Sequence, residues 1–178
     1  MTSQSSTLHR VLTWLDTFSE WTGRTISWLT LLLVLVTFLV VVLRYAFSTG
    51  TIALQESIIY LHSIIFLVGI GYTLKRDGHV RVDIFYREMR PQRQALVNLL
   101  GTLLFLLPTA IFIFWISWQY VASSWSILEG SREAGGIPAV YLLKTLIPVM
   151  ALLVVAQGVA EVIRSVLTLS GKSPTAEG

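Results

Sequence analysis

The chain has 178 residues, of which 54% are apolar and only 13% charged, with a mean hydropathy of +0.70; an ordinary soluble domain carries roughly 25% charge. That balance excludes a disordered chain, which needs low hydrophobicity and high net charge, and an ordinary water-soluble enzyme domain, and it leaves an all-α integral membrane protein. The absence of cysteine excludes disulfides, thiolate metal sites and cysteine nucleophiles, and the net charge of +3 is explained below by where the basic residues fall.

Residues 8–22 read as an amphipathic helix lying on the membrane surface. Leu8, Val11, Leu12, Leu15 and Phe18 recur at helical spacing, while Arg10, Asp16 and Glu20 lie away from that stripe. Trp14, Phe18 and Trp21 are the expected interfacial anchors. Residues 25–47 form the first span, uncharged from Thr25 to Leu43 and without a small-residue cleavage site after it.

The second span covers 56–74. Glu56, Tyr60, Ser63, Leu67 and Gly71 share one helix face, and His62, Phe66 and Gly69 share another roughly 120° away. Two faces rich in small or polar residues indicate a helix packed on two sides, one toward its own bundle and one toward a partner chain. His62 is the one histidine inside a span, since His9 and His79 fall outside. A bis-histidine haem needs two such ligands, so His62 reads as a hydrogen-bonded structural residue.

A connection at 75–93 follows, then a third span at 94–125. The uncharged run from Gln94 to Leu128 is longer than a bilayer is thick, and Pro108 should kink it. A loop at 126–137 leads to the fourth span, 138–164, with a second proline at Pro148 and a flexible tail at 165–178. Lys144 lies a few residues inside that span, where it either snorkels to the surface or pairs with Glu129, Glu133 or a partner's carboxylate. Gln157, Glu161 and Arg164 share one face, with Glu161 and Arg164 spaced to pair.

Lipid leaves no water for backbone groups, so each apolar run must be helical, and the runs lack the alternation of a membrane barrel strand. Ten of the 13 Lys and Arg residues fall in the N-terminal segment, the 75–93 connection and the C-terminal stretch from Arg164 onward. The positive-inside rule therefore places both termini in the cytoplasm, and topology rather than nucleic-acid binding accounts for the basic excess. Gly69-Ile70-Gly71 lacks the third glycine of a dinucleotide loop, and there is no phosphate-binding lysine motif. No catalytic site, metal or cofactor is expected.

Two stretches carry a pattern. One is Lys75-Arg76-Asp77-Gly78-His79-Val80-Arg81-Val82-Asp83. The other runs from Glu129-Gly130-Ser131-Arg132-Glu133 through Gly136-Ile137-Pro138 to Leu143-Lys144-Thr145-Leu146-Ile147-Pro148, then Gln157. With four spans between them, the chain from about Leu8 to Leu167 resembles the small membrane subunit (DctQ-type) of the tripartite ATP-independent periplasmic (TRAP) transporters. The wording of the outer loop is most similar to the subgroup labelled for mannitol or chloroaromatic compounds, which includes 2-oxoacid systems.

The resemblance implies a bacterial inner-membrane protein with two partners. A large membrane subunit would carry the substrate and sodium sites and move as an elevator, and a periplasmic protein would capture an organic acid. The small subunit would be a static scaffold. By position, His79, Arg81 and Asp83 either touch the large subunit or only close a salt-bridged turn. Glu129, Arg132 and Glu133 either meet the large subunit or the binding protein, or form a solvated loop. Two other readings stay open: a membrane anchor for a redox complex, and a stand-alone four-helix transporter. The latter requires an embedded carboxylate, and Thr25 to Leu43 has none.

Overall fold

The computed structural model describes residues 2–78 and 86–171, so His79, Arg81 and Asp83 lie outside the described residues. The described chain is α-helical with no strand. Its helices are α1 (Thr2–Ala46), α2 (Ile52–Lys75), α3 (Pro91–Gly101), α4 (Leu107–Ser126) and α5 (Val140–Leu169). A π-helical turn, Thr102–Leu106, joins α3 to α4. Four helical segments are long and apolar enough to cross a membrane, with α3, the π turn and α4 acting as one.

The first difference from expectation is in α1. Residues 8–22 and 25–46 lie in one unbroken helix of 45 residues, about 68 Å long, with no break between the expected surface helix and the span. Nothing in the sequence stops it: there is no proline, and the Thr22, Thr25 and Ser27 hydroxyls bond back to carbonyls three or four residues earlier. The inward face of the first half is Leu12, Ser19, Gly23 and Ile26. Leu12 packs with Ala160 and Leu167 of α5, flanked by Leu15 and Ile163. Trp14, Phe18 and Trp21 all point outward. Leu8, Val11 and Phe18 are exposed, so only Leu12 and Leu15 of the apolar stripe belong to the packed face. Asp16 and Glu20, read as lying away from the apolar stripe, turn inward to cations of α2 and α5. An apolar wheel alone cannot register partners that lie elsewhere in the chain.

Past Ile26, α1 touches its neighbour along one narrow seam. Leu29, Leu33, Val36, Val40 and Leu43 are half-buried at spacings of three and four, while the residues between them are mostly exposed. Gly23 makes the closest approach: a Cβ there would lie 2.3 Å from the Tyr72 ring of α2.

α5 is the central element, packing against α1, α2, α3, the π turn and α4. Among the described residues no Cα of α2 lies within 8 Å of one of α4. They flank an open crevice of about 1070 Å³ whose floor includes Met150 and Val154 of α5. Buried positions hold mostly small or polar residues: Ala95, Thr102, Ala110, Ser117 and Ser124 on the third segment, and Ala151, Gln157, Gly158, Ala160 and Ser165 on α5. Large apolar side chains such as Phe38, Phe105, Phe112 and Trp115 face outward. This inversion suits lipid, where apolar side chains gain nothing by facing inward and small residues let backbones close up.

Pro108 removes an N–H and its ring crowds the carbonyl of Leu104. The wider π turn falls at that place, with the Leu107 N–H bonding the Thr102 carbonyl. Pro148 sits buried inside α5, which continues through it. The tail expected from residue 165 begins later, because α5 runs to Leu169 and buries Ser165 and Leu167.

Candidate functional site

The polar groups of the helices gather at the two ends of the bundle. At the end holding both termini, Glu20 of α1 accepts bonds from Lys75 Nζ (3.0 Å) and Arg76 (2.7 Å) at the foot of α2, and Arg24 approaches to 3.5 Å from the exposed side. Lys75 also donates to the Asp16 carbonyl at 2.9 Å. The Asp16 carboxylate receives Arg164 of α5 at 3.2 and 3.3 Å. Arg164 also bonds Glu161, the pairing expected from their spacing. The other Glu161 oxygen accepts from the Asn98 amide of α3 (3.0 Å), whose carbonyl oxygen accepts from the Tyr86 hydroxyl (3.0 Å). Gln157 donates to the Ser19 hydroxyl and to the Leu15 carbonyl. This cluster ties α1, α2, α3 and α5 together.

At the opposite end two carboxylates organise the connection between α4 and α5. Glu56, near the start of α2, accepts from the Ser131 hydroxyl and from the Ile137 backbone N–H at 2.6 Å. Glu129 accepts from Lys144 Nζ and from the Ser124 hydroxyl at 2.7 Å. Lys144 lies 4.0 Å from the centre of the Tyr120 ring, a cation–π contact. Trp125 packs edge-on against Tyr141 and donates to the Thr145 hydroxyl at 2.8 Å.

The α4 terminus presents Glu129 to this cluster. The Glu129 N–H bonds the Ser124 carbonyl and the Leu128 N–H bonds the Trp125 carbonyl, with Leu128 in the left-handed conformation (φ 46°). That is a Schellman ending with leucine where glycine is usual. The Lys144 hydrogen bond, and then the Ser124 hydroxyl, hold the Glu129 carboxyl below its ordinary range.

Lys144 therefore pairs with Glu129 within the chain. Arg132 and Glu133 stay exposed outside both pairs, the Glu133 backbone N–H donating to the Ser131 hydroxyl oxygen at 3.1 Å. Gly71 faces α5, where a Cβ would meet Leu153 and Gln157, and Ser63 is half-buried. Glu56 belongs to the internal bundle, its partners 75 and 81 residues away in sequence. His62 is exposed, stacked on Phe66 with ring centres 6.2 Å apart and without a hydrogen bond among the described residues, contrary to the expectation of a bonded histidine.

The inward Asp16, Ser19 and Asn98 were not singled out from the sequence. Asn98 carries a usable signal, being an amide inside an otherwise apolar run. Asp16 carries none until α5 is in place. Among the described residues, no group of three or more His, Asp or Glu side chains could hold a metal.

Comparison with known proteins gives one result. The family model described as "Tripartite ATP-independent periplasmic transporters, DctQ component" matches residues 33–168, roughly three quarters of the chain. No curated protein and no solved structure matches. The chain therefore belongs to the DctQ family, the small component of TRAP transporters, a transporter family and not an enzyme family.

Proposed function

We propose that this chain is the small permease subunit of a sodium-coupled TRAP system that imports an organic acid delivered by a periplasmic binding protein. Its work is to brace the large, elevator-type membrane subunit. One observation carries the reading: the carboxylates borne by the helices, Asp16, Glu20, Glu56 and Glu161, each bond to a group of the same chain, most of them on another helix. A small proton-coupled carrier needs an embedded carboxylate free to take up its proton. Here the carboxylates are cross-ties, as suits a part that stays still while a companion slides.

The excess of Lys and Arg at the end holding the termini supports an orientation with that end in the cytoplasm of the inner membrane. The exposed Arg132 and Glu133 then stand on the periplasmic side, free to meet the binding protein. The outer-loop wording favours a mannitol, chloroaromatic or 2-oxoacid type of system.

Reconstitution tests the division of labour. Proteoliposomes holding this chain alone should take up no organic acid. Adding the large subunit and the binding protein should give uptake that needs a sodium gradient. Uptake by this chain alone would overturn the reading. A periplasmic reporter fused after Arg87 should be inactive, and an active fusion would reverse the orientation.

A further inference from the structure

The exposed residues of α2 form one stripe: Gln55, Ile59, His62 and Phe66. Continued at the same spacing of three and four, the stripe reaches Gly69, where an added Cβ would meet nothing within 4 Å. His62 and Gly71 are nine residues apart, which at 3.6 residues per turn places them on opposite sides of the helix. Since Gly71 lies against α5, the stripe points away from the bundle.

His62 lies ten residues, or about 15 Å, from the start of α2 at Ile52 and farther from its end at Lys75. A hydrocarbon core about 30 Å thick puts it near the bilayer midplane. Its ring stacks on the Phe66 ring, which satisfies neither ring nitrogen. Lipid tails cannot satisfy them either, and headgroups are out of reach of so short a side chain. Ionisable residues at this depth face a protein partner or a water-filled cavity almost without exception. Gln119 on α4 is also exposed, but it lies about 10 Å from that helix's end at Ser126, and its longer side chain can approach the surface.

We propose that the Ile59–His62–Phe66–Gly69 stripe of α2 is the docking surface for a transmembrane helix of the large membrane subunit, with His62 hydrogen-bonded to a polar group of that helix. This rests on the functional reading above and gives it a location. Gly69 leaves the notch that lets a helix backbone approach closely, and the Phe66 ring fills space beside the bond. The family's tripartite make-up favours an unlike chain over a second copy.

The test uses the full chain co-expressed with the large subunit. Phe66 is replaced by photoreactive p-benzoylphenylalanine, with Trp115 on α4 replaced in a parallel variant; both positions are exposed (67% and 80%). Illumination of membranes should join position 66, and not 115, to the large subunit. Adducts at 66 with a second copy of this chain, or with no protein, would overturn the proposal.

As a second measurement, His62→Leu should lower recovery of the large subunit roughly three- to tenfold, the range of one interhelical hydrogen bond. His62→Asn should retain most of it, and the thermal stability of each variant in isolation should be unchanged. Equal recovery with leucine would remove the assigned bond. If the unsubstituted chain itself fails to co-purify with the large subunit, the broader reading falls, which is a separate outcome.

Discussion

Glu20 at the terminal end meets Lys75, Arg76 and Arg24, and Glu161 there meets both Arg164 and Asn98. At the opposite end Glu56 has one hydroxyl and one backbone N–H, and Glu129 has one lysine and one hydroxyl. The first cluster joins four helices through overlapping pairs, so removing one leaves others in place. The second folds a short connection onto α2 and α5 with little duplication. The terminal end behaves as a network, and the loop end as a pair of single fastenings. Ion pairs open to solvent contribute little individually; most of these are half-buried, and the geometry they enforce matters more than their number.

The largest expected effect lies between the two ends, on the α1–α2 seam. Gly23→Ala would set a methyl group against the Tyr72 ring and its Cβ, the latter at 2.9 Å and unable to swing aside. Unfolding in mild detergent should show a loss of about 3 kcal/mol, the upper part of the usual range for overpacking. An unchanged stability would show that α1 can shift without cost and that the terminal network alone holds it.

Glu129→Gln comes next. It removes the charge facing Lys144 while keeping the shape, and should lower the melting temperature by several degrees. The pH dependence has a definite sign. The carboxyl of folded Glu129 is held below its ordinary range, so its contribution is complete above the unfolded value of about 4.3 and fades as pH falls through the lower folded value. Melting should thus be flat from pH 8 to about 5 with respect to this group and decline below about 4. The Glu129→Gln variant should lose part of that acid-side decline. A variant with the same decline as the parent would remove Glu129 from the loop-end fastening.

The smallest effect belongs to the network. Asn98→Leu deletes the bond to Glu161 and the one accepted from Tyr86 but leaves Arg164 on Glu161, so a cost of about 1 kcal/mol is expected, from two hydrogen bonds at about 0.6 kcal/mol each in a membrane protein. A loss as large as that of Gly23→Ala would mean that the terminal end is not redundant after all.

The four spans were legible because lipid admits only helices and each span is a long uncharged run. Their ends were less so. The first and fourth helices extend into charged segments, where Asp16 and Arg164 satisfy one another rather than water. The pairing of Glu161 with Arg164 could be read from spacing of three, and that of Lys144 with Glu129 was one of several options. The bonds from Glu56 to Ser131 and Ile137 were hidden, since they depend on how the connection folds back over α2. His62 was visible as an anomaly, but only the packing of Gly71 against α5 fixes the side to which it points.

The unbroken α1 has a mechanical consequence. Leu12 seats against α5 and Gly23 against Tyr72, two pins eleven residues or about 16 Å apart on a stiff rod. Two pins set an angle, as two nails set a plank. The tilt of the remaining length, out to Ala46, is then dictated from below by the protein and not by the thickness of the bilayer. A thinner or thicker membrane would have to deform around this rod, giving a neighbouring chain a reference post of fixed inclination.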